Sequence, residues 1–181
     1  MNIFTVETWD DVLWQQAKRI YNEAFGNKDA KSEKIIRNMF DRGIAQLHVM
    51  FVETRVVALA ITGHLKGENS LIIDYLAVGS SYKQRGYGSN LVNYIGEWAV
   101  NEKKINRIFI EVECEETVEN LERILFWKKC GFMLTNYVHR YKWVPETYKG
   151  MYLLLEGDDV TIKGEDIFDE IGKFHRISFR K

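Results

Sequence analysis

Residues 71–90 read LIIDYLAVGSSYKQRGYGSN, and three structural signals follow one another within them. LIIDYLAV, at 71–78, is nearly continuous in apolar residues, the pattern of a strand covered on both faces. GSSYKQRGYGS is a loop, and beyond it Leu91, Val92, Ile95, Trp98 and Ala99 recur at helical spacing. A second strand, RIFIEVE, follows at 107–113. Strand, helix and strand with a crossover of that length imply two parallel strands around one helix.

On the upstream side, AQLHVMFVETRVVALAITGHL (45–65) is rich in β-branched and aromatic residues, is broken at Thr54 and Arg55, and predicts a hairpin. Residues 2–6 alternate as a short strand. Thr8 and Asp11 then read as an N-cap pair for a helix with Leu13, Ala17, Ile20, Tyr21 and Ala24 on one face and Gly26 at its end. Ile35, Ile36, Met39 and Phe40 predict a second helix that stops near Gly43. Downstream, a helix is expected over 118–129, and FMLTNYVHRYKW and MYLLLEG read as two antiparallel strands. The expected architecture is an α/β fold of the mixed-sheet α+β kind, with about seven strands and about four helices. Residues 1–156 form one domain in this reading. Residues 157–181 are a polar extension with a helix near Asp166 to Phe174.

The bulk composition agrees with one domain: 181 residues, 46% hydrophobic, suffice for one substantial core. Twenty-five Lys and Arg nearly cancel 26 Asp and Glu, which gives no long-range attraction to nucleic acid or anionic membrane. Cys114 and Cys130 are too few for a disulfide framework or a zinc cluster. They are read as reduced core thiols. The four histidines, His48, His64, His139 and His175, show no ligand spacing and are read as surface or strand residues, so no metal is expected. MNIFTVETWDD lacks a basic region followed by a long apolar stretch, and nowhere do about 18 apolar residues run together. A cytoplasmic protein is expected.

Lys83, Gln84, Arg85, Gly86, Tyr87, Gly88 and Ser89 lie between the buried strand and the first turn of the next helix. A helix start leaves backbone N–H groups unpartnered and carries partial positive charge, so it suits phosphate oxygens. Gly86 and Gly88 remove side chains where a pyrophosphate would approach, and Lys83 and Arg85 add positive charge. A Walker-type loop does not fit, because the fifth residue after Gly79 is Gln84. Neither does a dinucleotide fingerprint, because Leu91 stands where its third glycine is needed. The run also fits a plain tight turn with a basic surface.

The same residues resemble the GNAT superfamily of acyl-CoA N-acetyltransferases, whose motif is Gln/Arg-x-x-Gly-x-Gly/Ala after a strand ending in Leu-x-Val. Here Leu76, Ala77 and Val78 precede Lys83-Gln84-Arg85-Gly86-Tyr87-Gly88, with Lys in place of the first Gln or Arg. A second motif, Asn followed seven residues later by Tyr and then Lys-x-Gly-Phe, appears as Asn120, Trp127, Lys129, Cys130, Gly131 and Phe132. The likeness covers about residues 1–156. It implies a GNAT-like twisted sheet in which strands 71–78 and 107–113 splay apart, with acetyl-coenzyme A (acetyl-CoA) as co-substrate. Leu76 and Val78 would bond the pantetheine arm through their main chains, the amides of residues 84–89 would hold the pyrophosphate, and Asn120 would touch the arm.

An alkylammonium of pKa about 10 must lose a proton before it can attack a thioester, so a base is required. Glu111 matches the position that supplies the base in some members of the family. Asp74 is the other carboxylate on a strand bordering the gap, and Glu113 is a third choice nearer the strand end. Each also fits an exposed strand carboxylate or an ion-pair partner. The family's usual tyrosine acid is Trp127 here, whose indole N–H donates a hydrogen bond but releases no proton. Trp127 therefore reads as a wall against the thiol end or as a core aromatic, with Tyr137 as a substitute acid. EVECEETVENLE, at 111–122, carries six Glu and suits either a cationic amine or a solvated helix start. The reading is transfer of an acetyl group to a primary amine of a small cationic molecule or a peptide, the alternative being a weak or silent acyl-CoA-binding module. Tyr137, Tyr141 and Trp143 suit a substrate wall or a homodimer face.

Overall fold

A computed structural model describes residues 1–26, 30–157 and 160–180. Seven strands build one sheet: β1 (Asn2–Val6), β2 (Ala45–Val52), β3 (Arg55–Gly63), β4 (Ser70–Val78), β5 (Arg107–Glu113), β6 (Met133–Arg140) and β7 (Thr147–Leu154). Their order is β1-β2-β3-β4-β5-β7-β6, and every pairing is antiparallel except β4 with β5. Helices α1 (Asp11–Phe25), α2 (Glu33–Asp41), α3 (Tyr87–Lys103), α4 (Val118–Lys129) and α5 (Gly164–Ser178) complete the fold. None of the described helices is long and apolar enough to cross a membrane.

Alternation along β5 sorts its side chains onto two faces. Phe109 joins an apolar cluster with Trp14, Ile36, Met39 and Phe174, from α1, α2 and α5. Ile108, Ile110 and Val112 join the opposite cluster with Leu91, Ile95, Trp98 and Trp127, from α3 and α4. Glu111 has the phase of Phe109 and therefore faces α5. Local chemistry sets the helix starts. Asp10 accepts from the Leu13 amide at 2.9 Å and is the α1 cap, two residues after the expected Thr8; Asp11 instead accepts from the Trp9 indole at 2.8 Å. Ser32 caps α2 and Thr117 caps α4.

The extension from residue 157 onward supplies α5, with Ile167, Phe168, Ile171 and Phe174 buried. Phe174 is fully buried, worth about 2 kcal/mol for a ring removed from water. It lies so close to Gly63 that a Cβ there would sit 2.1 Å from the ring. Arg42 donates to the carbonyls of Ile177 and Arg180, tying α2 to the end of α5. Residues 158, 159 and 181 of the extension lie outside the described residues.

β4 and β5 pair only through Ser70–Arg107, Leu71–Ile108 and Ile72–Phe109, then separate. Beyond Ile72, β4 stays on β3, and β5 stays on β7 along its whole length. The register on β3 jumps from Ile61–Tyr75 to Thr62–Ile73, which leaves Asp74 as the extra residue of a β-bulge. The bulge turns two successive side chains, Asp74 and Tyr75, to the same face, and both meet Lys31 in the segment before α2.

Candidate active site

The opened edge of β4 offers free main-chain groups. The Gly79 amide bonds the Val57 carbonyl on β3 at 2.9 Å. In an antiparallel ladder the direction of bonding alternates residue by residue, so Ala77 also points to β3 while Leu76 and Val78 point toward the gap. An extended ligand bearing amides can add there as a strand would.

The loop after β4 turns through a short 3-10 segment, Ser80–Tyr82, and reaches α3 with no side-chain cap. Gly86 sits at φ +78°, a left-handed conformation suited to glycine, and a Cβ there would meet nothing within 4 Å. The first helical bond of α3 runs from Asn90 to Gly86, so the amides of Tyr87, Gly88 and Ser89 precede it. Lys83, Gln84 and Arg85 are exposed beside them, while Gly88 is buried with the Phe126 ring 3.1 Å from where its Cβ would be. Arg19 and Arg55 line an open recess of about 420 Å³ that also borders Gly79–Tyr82.

Across the gap, the two strand carboxylates enter one polar network. The Lys31 ammonium donates to both oxygens of Asp74, at 2.7 and 2.8 Å, with side-chain exposures of only 3% and 6%. The rings of Tyr75, Phe174 and Phe179 surround that ammonium at 5.4–5.5 Å. Its main chain is held by Tyr21 Oη, which donates to the Lys31 carbonyl, and by Tyr75 Oη, which accepts from the Lys31 amide. Lys31 Nζ also lies 3.3 Å from His175 Nδ1, and His175 Nε2 lies 3.2 Å from Glu111 Oε1. Tyr141 Oη donates to Glu111 Oε2 at 2.6 Å.

An ammonium can only donate, so Nδ1 of His175 accepts and Nε2 carries the proton that is donated to Glu111. Along the chain from Asp74 to Tyr141, two carboxylates, Asp74 and Glu111, stand against the single ammonium of Lys31. Burial works to raise the Glu111 pKa, but the contacts with His175, Tyr141 and the Lys31 charge outweigh it and hold the carboxyl below its usual range. Burial and the neighbouring Glu111 charge push the Tyr141 hydroxyl up, so it stays a donor. Glu111 and His175 keep exposures of 26% and 22%, so this end of the network reaches solvent while Lys31 and Asp74 are sealed.

Glu111 and Asp74 are thus brought into one network, but Trp127 is not. It packs on the other face of the sheet, edge-on to Phe126 and Phe132 with ring centres at 5.0 Å. Asn120 is buried and bonded to Glu113 Oε2, to the Glu115 carbonyl and to Arg123, which fixes the turn from β5 into α4. Beside it, Glu113, Glu115 and Glu119 line an open acidic recess of about 450 Å³. Tyr137 packs against Phe168, whereas Tyr141 reaches the Glu111 carboxylate. Lys31 and the role of His175 escape the sequence reading, and His175 is a half-buried helical residue, not a strand one. Its one sequence signal is its place next to Phe174 on the apolar stripe of the last helix.

The profile of the acetyltransferase (GNAT) family matches residues 14–132, and the chain belongs to that family. No curated protein sequence matches it. Among solved structures, a GNAT-family protein from Bacteroides thetaiotaomicron superimposes with a TM-score of 0.71 at 17% identity, over 98% of this chain and 96% of the other. An aminoglycoside 6'-N-acetyltransferase complexed with coenzyme A gives 0.69 at 15% identity, over 88% and 100%. The ribosomal-protein-S18-alanine N-acetyltransferase of Escherichia coli gives 0.65 at 14%, over 89% and 100%.

Proposed function

We propose that this protein transfers the acetyl group of acetyl-CoA directly to a primary amine on a small cationic molecule or a peptide. One observation carries the reading: a strand edge opened at a bulge leads into an uncapped, glycine-started helix on one side and borders a network holding two carboxylates on the other. The main chains of Leu76, Ala77 and Val78 line the path of the pantetheine arm. The amides and charges of Lys83, Gln84, Arg85, Gly86, Tyr87, Gly88 and Ser89 receive the pyrophosphate, and Asn120 shapes the far wall. The CoA complex and the amine acceptors among the similar structures support this assignment.

The acceptor arrives as an ammonium, which the two carboxylates favour, gives one proton to solvent water and attacks as the free amine. The nitrogen lone pair forms the new C–N bond, and the carbonyl electrons move to oxygen, stabilised by an amide on the β4 edge. As the nitrogen becomes positive it turns acidic, and Glu111 takes its proton directly or through water. Glu111 serves better than Asp74, whose two oxygens are both held by a sealed ammonium. The oxyanion then collapses and the C–S bond breaks. A thiol ionises near pH 8.5, so CoA leaves as a thiolate and Trp127 need not supply a proton. Residues 1–156 act as the transferase domain, and the extension from 157 closes its acceptor side. The unpaired thiols Cys114 and Cys130 fit a reducing, cytoplasmic setting.

Thiol release from acetyl-CoA with a panel of polyamines, aminoglycosides and peptides tests the reading. Turnover that drops in Glu111→Gln supports it. CoA binding without turnover of any amine would sink it, as would calorimetric binding of ATP in place of CoA.

A further inference from the structure

Resting on the acetyl-transfer reading, we infer that His175, on the helix beyond the residues the family profile matches, is a positioning residue that holds Glu111 ready for the acceptor. Four observations converge on it. His175 Nε2 meets Glu111 Oε1 at 3.2 Å, and the Tyr141 hydroxyl meets the other oxygen at 2.6 Å, so the carboxylate is gripped at both ends and its plane is fixed. A carboxylate oxygen has two lone pairs, so each oxygen can still accept from an amine. Lys31 Nζ, 3.3 Å from Nδ1, fixes the tautomer that presents a donor to Glu111, and Lys31 is itself immobilised by Asp74. The imidazole is also framed by Tyr141, with ring centres 6.1 Å apart, and by Phe174, at 5.8 Å. The charged and titratable groups around it are Lys31, Asp74, Tyr75, Glu111, Tyr141 and, behind Tyr141, His139 and Tyr148.

The arrangement gives α5 a chemical task as well as a packing one. His175 lies 64 residues from Glu111 in sequence, and only the docking of α5 across β6 and β7 brings them together. The helix is anchored by Phe174 against Gly63 and by Arg42 on the carbonyls at its end. Anything that loosens α5 therefore releases the Glu111 carboxylate too.

The test compares wild type, His175→Leu and His175→Gln in the full chain. The first readout is a ¹³C NMR titration of the Glu111 carboxyl in the free protein. Loss of the donor in His175→Leu moves that titration up by about one pH unit, and the amide N–H of His175→Gln restores part of the difference. The second readout is turnover, where kcat/KM for the amine falls about tenfold in His175→Leu and recovers in part in His175→Gln. The KM for acetyl-CoA stays within about twofold, since the thioester carrier is held elsewhere. Should His175→Leu fail to fold, the comparison of wild type with His175→Gln carries the same test in smaller amplitude. A Glu111 titration at the same pH in every form overturns the inference. Absence of turnover in wild type would instead defeat the acetyl-transfer reading, and the NMR titration would still judge the contact.

Discussion

Lys31→Met leaves the length and shape of the side chain nearly intact and removes the ammonium from a seat that is 3% exposed. Asp74 then keeps its charge at 6% exposure, with two lost bonds of 2.7 and 2.8 Å and no replacement from the surrounding Tyr75, Phe174 and Phe179 rings. Removing one partner of a buried pair costs about 3–5 kcal/mol, because the remaining charge stays desolvated. For a chain of this size each kcal/mol lowers Tm by about 2–4 °C, so the variant should melt roughly 6–20 °C below wild type. Removing both charges is different: Lys31→Met with Asp74→Leu should return to within about 1–2 kcal/mol of wild type, since a buried pair is often worth no more than apolar residues of similar volume. Urea and thermal unfolding of the four members of the double-mutant cycle, followed by circular dichroism at pH 7, measure the coupling. A single variant that loses less than about 1 kcal/mol, or a double variant as unstable as the sum of the two singles, would refute the account of a sealed, mutually dependent pair.

Gly86→Asp places a carboxylate in the open space before α3, and isothermal calorimetry should show CoA affinity reduced at least about tenfold, beside a Tm lowered by about 2–4 °C for the strain of a side chain at a left-handed φ; unchanged affinity would remove the phosphate role of the loop. Gly63→Ala drives a methyl into the Phe174 ring and should cost about 1–3 kcal/mol while exposing residues 160–180 to limited proteolysis. His48 is fully buried between Thr5 and Thr62, and burial pushes its pKa down to about 3. The unfolded chain therefore binds a proton below about pH 6.5 that the folded chain refuses, so stability falls with decreasing pH by up to about 1.4 kcal/mol per unit until about pH 3. The Tm of His48→Gln should decline less steeply between pH 7 and 4, and an identical slope would show that His48 is not the group responsible.

Periodicity made much of the fold legible. RIFIEVE alternates cleanly enough to put Glu111 on the face opposite Ile108, Ile110 and Val112, and the helical sets after Gly88 and after Thr117 match α3 and α4. The glycine loop is readable because it is a local pattern, whereas the opening of the strand pair is implied only by the resemblance to the family. What stayed hidden depends on partners distant in sequence. LIIDYLAV gives no sign of a bulge, since Asp74 looks like one polar residue on an otherwise apolar strand, and only the mismatch with β3 reveals the extra residue. A single Lys31 before a helix is indistinguishable from a solvated lysine until α5 closes over it. His175 carries no spacing relation to Glu111, because the contact is made by tertiary docking and not by any repeat along the chain. Trp127 was open to two readings, and its ring contacts place it among apolar residues.

One extra residue in the fourth strand has a consequence for how this site tolerates change. If Asp74 were deleted, the ladder with β3 would become regular, and the bend that steers the strand away from its parallel neighbour would go with it. The same deletion would strip the counterion from Lys31. An insertion or deletion of one codon here therefore cannot alter the width of the cleft without also altering its charge, whereas replacements at constant length can tune the two separately.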